Sequence, residues 1–451
     1  MKNIFKKIGA LIACLLLITV VIQSCKKDIA GNPEFGAGDY PRIFSVNDRF
    51  PQSVIINQGD TAVYSNLKFS PAGKVTINWY VNDKIVSHDT TFKFVPTTGG
   101  EFRIKLEVEY NGLKSIRTSD VVVKPNTYTR NNFPKVLMGY LSENGAATDV
   151  NWSAITHLAV QMGQVSADGS LDITKGNINQ LMDELVARGH IRGIPVILTI
   201  YGHISPIDGG PLYGSDDMGP VLRDAGLRSG LVAQLKNYIT SKKLDGVDIM
   251  FTDFNGAAAY SASLAALGPF VAELKAALPA NSLITINGTP GWQHWEYPDL
   301  SAVDWINVRG FEDGIHVGPG APVGQASSFD YMESASNIWA NFHVAANKIV
   351  VGFPVFGLRY NALDGGGNNL SWGSYDYVTY KDILVLDPAA ATKNSINSAQ
   401  GIYYNGVDMI KQKAAYIKTS SFKGMYGWYL DADATDSTKS LFKAAFKILN
   451  P

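Results

Sequence analysis

The chain has 451 residues, of which the first 24 read as a removable leader, leaving 427. That length holds two or three domains, although an α/β barrel of about 250 residues or more can be one unit. With 46% hydrophobic and 18% charged residues the chain can bury a large core, which excludes disorder throughout and a membrane-spanning bundle. The net charge of −1, which becomes −4 when Lys2, Lys6 and Lys7 leave with the leader, gives no cationic surplus for a phosphate backbone, so nucleic acid is not an expected partner.

The apolar run from Ile8 to Ile22, preceded by three lysines, has the layout of a secretory signal and is too short to span a bilayer comfortably. It ends in Ile22-Gln23-Ser24-Cys25, which resembles a bacterial lipobox. The resemblance implies cleavage before Cys25 and lipidation of its sulfur, which places the protein in the cell envelope as an outer-membrane lipoprotein, in either leaflet and so open to surface exposure. Cys14 leaves with the leader, so neither of the two cysteines is expected in a disulfide. Residues 25–39, with Gly31, Pro33, Gly36 and Gly38, read as a flexible tether.

Residues 40–125 alternate apolar and polar side chains, as in Lys74-Val75-Thr76-Ile77-Asn78-Trp79-Tyr80-Val81 and Phe102-Arg103-Ile104-Lys105-Leu106, with Asn82-Asp83, Gly99-Gly100 and Asn111-Gly112 between the runs. The pattern predicts a small all-β sandwich. The Ile77-x-Trp79-Tyr80 strand, Phe92-Lys93-Phe94 and Gly99-Gly100-Glu101-Phe102 resemble immunoglobulin-like modules of the PKD type, and Trp79 is expected in its core. A spacer role is assigned to it. Residues 126–133 form a linker.

From Pro134 to Pro451 short apolar runs alternate with helical segments. Strands are predicted at Val136–Leu141, His157–Met162, Pro195–Tyr201, Val247–Thr252, Leu283–Asn287, Trp305–Val308, Ile349–Phe353 and Met425–Trp428. Helices are predicted at Ile178–Ala187, Leu231–Ser241, Leu264–Leu278 and Met332–Asn341. Eight strands with helical crossovers predict an α/β fold, a (β/α)8 TIM barrel, with an insertion over Gly357–Gly401 at its C-terminal face.

Leu244-Asp245-Gly246-Val247-Asp248-Ile249-Met250-Phe251-Thr252-Asp253 covers the fourth predicted strand. Met138-Gly139-Tyr140, Val303-Asp304-Trp305-Ile306-Asn307-Val308, Gly352-Phe353-Pro354-Val355-Phe356-Gly357 and Gly424-Met425-Tyr426-Gly427-Trp428 fall at the first, sixth, seventh and eighth in order. These segments resemble glycoside hydrolase family 18, the chitinases and endo-β-N-acetylglucosaminidases, the first of them its fourth-strand signature Asp-Gly-x-Asp-x-Asp-x-Glu. The resemblance implies a substrate-assisted mechanism in which a glutamic acid protonates the leaving oxygen, an exception to the usual pair of carboxylates.

The same matching removes that chemistry. Asp248, Met250 and Thr252 share one face of a strand. The family acid is Thr252, the middle aspartate is Met250, and a tyrosine of the sixth strand is Phe311 within Arg309-Gly310-Phe311-Glu312. A hydroxyl cannot replace a tuned carboxylic acid as proton donor.

The expected function is therefore binding of an N-acetylglucosamine-containing glycan, chitin or an N-glycan core, without hydrolysis. Tyr140, Asp248, Met250, Thr252, Arg309, Phe311 and Trp428 are the candidate binding residues. Tyr201, Trp292, Trp295 and Phe251 are further aromatic faces, and Asn287 and Gln161 further polar contacts; Trp305 sits one residue off the inward register and is expected in the core. The alternative is an active endo-acting glycosidase in which Asp253, beside Asp248, serves as a displaced acid, with Glu312 and Asp313 as further carboxylates at a strand end. A third reading is a scaffold that recruits proteins, and a glycan-uptake system is the partner class considered. No cofactor is expected: the seven histidines lack a ligand-like pairing, although His203 follows the third strand closely enough to touch a ligand, and Gly365-Gly366-Gly367 lacks the lysine of a phosphate loop.

Overall fold

The computed structural model describes residues 40–45, 50–204, 217–252, 259–289, 296–342, 344–396 and 401–451. Cys25, its leader and the tether lie outside the described residues, as do Asp253, Trp292, Trp295 and the side chains of Phe251 and Thr252. The chain forms two compact units.

The smaller unit is all strand. Ser53–Asn57, Leu113–Lys124, Gly100–Tyr110, Thr76–Val81 and Lys84–Ser87 lie in that order in one sheet, and Arg42–Ser45 with Leu67–Ser70, and Ala62–Tyr64 with Phe92–Phe94, make two short antiparallel pairs. Alternation sends Ile77 and Trp79 inward from one strand and Ile104, Leu106 and Val108 from its neighbour. Trp79 is fully buried, its ring within 6.0 Å of Phe50, Tyr64 and Phe92, and its indole N–H donates to the Asp89 carbonyl at 2.8 Å. The ring belongs to the core.

The larger unit is a closed barrel. Its parallel strands are β1 (Val136–Leu141), β2 (His157–Val165), β3 (Val196–His203), β4 (Gly246–Thr252), β5 (Leu283–Gly288), β6 (Trp305–Val308), β7 (Ile349–Pro354) and β8 (Gly424–Trp428). Each pairs with the next, and β8 returns to β1, leaving no free edge. Parallel strands covered on both sides read as continuous apolar runs, and all six residues of β1 and of β7 are buried.

The covering helices include Ile178–Ile191, Ala225–Lys242, Leu267–Ala277, Phe329–Ala340, Val407–Thr419 and Leu441–Leu449. Short polar side chains start several of them. Asp224 accepts from the Leu227 N–H, Ser328 from Tyr331 and Ser440 from Lys443, satisfying amides that have no partner inside the helix.

Between β7 and β8 the chain builds a separate small sheet in the order Tyr375–Thr379, Phe356–Tyr360, Ile402–Tyr404, Ser395–Ile396. It begins two residues after β7 ends, so its strands stand at the barrel's C-terminal mouth. The described residues of the insertion expected at Gly357–Gly401 thus form an antiparallel sheet with a short α-helix, Tyr380–Leu386.

Two outer helices are joined by a buried cation. Lys413, fully buried on Val407–Thr419, donates to the Ser327 carbonyl at 2.8 Å and to Asn405 Oδ1 at 2.7 Å, and the Asn405 amide donates to the same carbonyl. Burial pushes the Lys413 ammonium down to about 7 from its ordinary 10.5. Between those values the unfolded chain binds a proton that the folded chain does not, so this group makes stability rise with pH from about 7 to about 10.5. We predict that wild type gains stability relative to Lys413→Met across that window in urea titrations at pH 6, 8 and 9.5. Parallel pH profiles for the two proteins would contradict the assignment.

Candidate functional site

The barrel interior is organised by one carboxylate. Asp248, pointing inward from β4, is fully buried and is held by hydrogen-bond donors from four other strands. Tyr140 on β1 donates to Oδ2 at 2.8 Å, Thr199 on β3 at 3.3 Å and Asn287 on β5 at 3.3 Å. Thr285 on β5 donates to Oδ1, and the Asn307 amide on β6 does so at 2.9 Å. Strand register puts Thr199, Asp248 and Thr285 side by side, so three inward side chains meet in one layer. Desolvation by burial raises the Asp248 pKa above the usual carboxylate value, while these donors pull it back.

The surrounding groups are oriented in turn. The Trp305 indole N–H donates to Asn307 Oδ1 at 2.9 Å, which turns the amide nitrogen towards Asp248 and the Tyr140 oxygen. Trp305 therefore shares the inward face with Asn307, correcting the expected register by one residue. Its place in the core stands, because it packs in the barrel interior with Val136, Met138 and Tyr426. Tyr140 is fully buried, and burial with the neighbouring Asp248 charge raises its pKa well above 10.

A cavity of about 700 Å³ opens at the barrel mouth. Met250, two residues along β4 from Asp248, is on its wall, as are Asn287, Arg309, Phe311 and Trp428 among the expected residues. Tyr140, Asp248 and Gln161 are buried and do not line that wall: Asp248 and Tyr140 satisfy each other, and the Gln161 amide faces the Met250 sulfur at 3.6 Å. Thr252 is reached by β4, but its side chain and Asp253 fall outside the described residues.

Aromatic rings supply most of the remaining wall. Trp428 packs 4.7 Å from Tyr140 and 4.6 Å from Tyr429, and Phe311 meets Phe356 and Tyr426 edge-on at 5.9 and 6.2 Å. Gly352 permits this packing. A β-carbon there would lie 2.4 Å from Tyr426 and 2.8 Å from Phe311.

The polar side of the cavity is an ion pair tied to the insertion. The Arg309 guanidinium lies over the Phe311 ring at 5.1 Å and donates to Glu312, whose other oxygen accepts from the Tyr377 hydroxyl at 2.5 Å. Glu312 has φ 60°, a left-handed backbone that a residue with a β-carbon adopts at a cost of about 1 kcal/mol or more. Asp313 instead accepts from the His316 N–H and starts a short helix. Of the two carboxylates at this strand end, Glu312 is on the cavity wall and Asp313 is not.

A second polar chain enters from β3. Tyr201 is on the cavity wall, its hydroxyl is 3.2 Å from His203 Nε2, and His203 Nδ1 is 2.7 Å from Asp217 Oδ2. The sequence pattern does not reveal Asp217, because it is 14 residues beyond His203. Nor does it reveal Thr199, Thr285 and Asn307 as partners of Asp248, or Phe356, Tyr377 and Tyr429 as wall residues. Only the inward period-two register of the predicted strands could have pointed to the first three.

Comparison with known proteins fits this geometry. The signature of the glycosyl hydrolases family 18 matches residues 136–433. Chitinase 1 of Aphanocladium album is 27% identical over 160 residues, covering 32% of this chain and 37% of that protein. The chain spans little more than a third of the length of the curated relatives it matches. A chitinase structure from Bacteroides thetaiotaomicron aligns with a TM-score of 0.57 at 22% identity, covering 70% of this chain and 96% of that one. A class V chitinase from Nicotiana tobaccum in complex with NAG4 aligns with a TM-score of 0.54 at 16% identity, covering 70% and 99%. These structures share the fold, and with the barrel, its mouth and the matched signature in place, the chain belongs to glycosyl hydrolases family 18.

Proposed function

We propose that the barrel binds an N-acetylglucosamine-containing oligosaccharide, chitin or an N-glycan core, without cleaving it. The observation that carries this reading is Met250. It occupies the cavity wall where the family resemblance implies an aspartate, with the Gln161 amide behind its sulfur. A thioether can touch a sugar but cannot carry the negative charge that the substrate-assisted route uses.

Two further residues support the reading. Phe311 stands for the implied tyrosine and packs against Phe356 and Tyr426, so that position itself offers no hydroxyl. Thr252 stands for the acid, and general acid catalysis is worth about 10²–10⁴ in rate. The carboxylate that is retained, Asp248, is sealed below the cavity with its oxygens already engaged. Trp428, Tyr429 and Tyr201 offer the apolar faces on which sugar rings lie. The opposing reading, a glycosidase using Asp253 as a displaced acid, predicts the same binding and adds turnover.

We further propose that Cys25 carries the lipid of an outer-membrane lipoprotein. Residues 25–39 then act as tether and the all-β unit over residues 40–125 as an immunoglobulin-like spacer of the PKD type, before the linker at 126–133. A glycan-uptake system is the class of partner that a non-cleaving binder would serve.

Two measurements check these proposals. By titration calorimetry the mature protein should bind chitotetraose or a high-mannose glycopeptide, and Trp428→Ala, checked to be folded by its far-UV spectrum, should weaken binding about tenfold or more, roughly 1.4 kcal/mol. Absence of heat with both ligands would overturn the binding reading. In a bacterial host fed an alkynyl fatty acid, wild type should be labelled and Cys25→Ala should not; label on the variant would contradict lipidation at this cysteine.

A further inference from the structure

Resting on the glycan-binding reading above, we propose that Trp372 is a platform for sugar rings of the same glycan that run past the cavity, so that the protein prefers long linear chains to short ones. Trp372 is in the inserted sheet, in the turn that leads into the strand Tyr375–Thr379. The residue is 66% exposed, and its indole makes no hydrogen bond or ring–ring contact with the described residues. Exposure alone decides nothing, since single apolar side chains are common on surfaces. What sets Trp372 apart is how firmly it is held and where the strand beyond it goes.

The turn is Ser371-Trp372-Gly373-Ser374, closed by the Ser374 N–H donating to the Ser371 carbonyl at 3.2 Å. Gly373 has φ 77°, the positive value that the third position of a type II turn needs and that glycine takes without steric cost. The two serine hydroxyls are 2.8 Å apart, and the Ser371 N–H donates to Ser374 Oγ at 3.1 Å. Asn369, just before the turn, is fully buried. Its amide nitrogen is 2.9 Å from the Val317 carbonyl oxygen, 3.2 Å from that of Gly318 and 3.1 Å from that of Ser371, which staples the turn to the segment that follows β6. The indole lies against that segment: a β-carbon on Gly318 would be 3.3 Å from its Cη2 and 3.4 Å from its Cζ2. One edge of the ring is packed on bare backbone and the rest meets water. A ring fixed before the ligand arrives loses little freedom on binding.

The strand that leaves the turn ends at the cavity. Tyr377 and Thr379 are on the cavity wall, as is Phe356, which pairs with Thr379 from the neighbouring strand. Period-two alternation puts Tyr375 on the same face as Tyr377, and the rings of Phe356, Tyr377 and Tyr375 follow one another at 5.1 and 5.7 Å. Trp372 is five positions before Tyr377, so even a fully extended chain would keep their α-carbons within about 18 Å. A few sugar rings span that distance. The segment under the indole also starts at the cavity, because Arg309 and Glu312 on the wall precede Gly318 in the same connection. A linear glycan that leaves the cavity on this side therefore meets the turn. The indole suits it, with a flat apolar face for a sugar ring and an N–H donor for a hydroxyl.

Calorimetry with chitobiose, chitotetraose and chitohexaose on wild type, Trp372→Ala and Trp372→Tyr tests this, with thermal melts to show that each variant is folded. On wild type, affinity should still rise from chitotetraose to chitohexaose. Trp372→Ala should match wild type on the shortest oligosaccharide that binds and should hold chitohexaose about tenfold more weakly, and Trp372→Tyr, which keeps a ring, should recover most of that loss. Chitohexaose binding that is unchanged in Trp372→Ala, or a loss that is equal at every length, would overturn this inference and leave the glycan reading standing. Leu370 beside the turn is 53% exposed, so sedimentation velocity is run at the same concentrations; a dimer abolished by Trp372→Ala would assign the patch to a second copy instead. Absence of binding by wild type at every length would overturn this inference, and if the high-mannose glycopeptide also gave no heat the glycan reading would fall with it.

Discussion

The buried carboxylate of Asp248 is the constraint on which the rest of the barrel interior depends. Taking a carboxylate out of water is costly unless donors replace the lost solvation. Here those donors come from β1, β3, β5 and β6, so one side chain links five of the eight strands. The donors are fixed in their turn, Asn307 by the Trp305 indole and Tyr140 by two amides. Burial still raises the Asp248 pKa above the usual carboxylate value. A group so engaged organises the barrel interior.

What a ligand would meet is the next layer up, and there the chemistry changes character. Met250, Phe311 and Trp428 are packed against the polar layer and replace charge with polarisable and aromatic surface. Among the described residues, the charges on the cavity wall are matched: Arg309 with Glu312, and Glu312 with Tyr377 from the inserted sheet. This cross-tie joins the insertion to the end of β6 and holds one wall of the cavity. An uncharged oligosaccharide needs little more than ring faces and a few oriented hydrogen bonds, which accords with the small net charge of the chain.

Most of the barrel is legible in the sequence, for a physical reason. Strands buried on both faces are continuous apolar runs, so all eight are placed within a few residues; the chief differences are that β2 runs on to Val165 and β3 to His203. Those extra residues matter, because His203 becomes a strand residue facing Asp217. The short polar and tyrosine-rich strands of the insertion carry no such run and read as loop. Partners brought together by closure of the barrel are not visible in local spacing, since Tyr140 and Asp248 are 108 residues apart. Sequence matching places Asp248, Met250 and Phe311 correctly on the inward side, but only depth within the barrel separates the first, which is sealed, from the other two, which are on the wall.

The central claim is that a family 18 barrel with this cavity holds its glycan without cutting it. The most direct measurement is mass spectrometry of chitotetraose and a high-mannose glycopeptide incubated for days with a stoichiometric amount of the mature protein, at concentrations where calorimetry shows the site is filled. The account predicts that both ligands are recovered intact, at the rate of a protein-free control. Shortened products that disappear with Asp253→Asn would contradict it and establish a displaced acid.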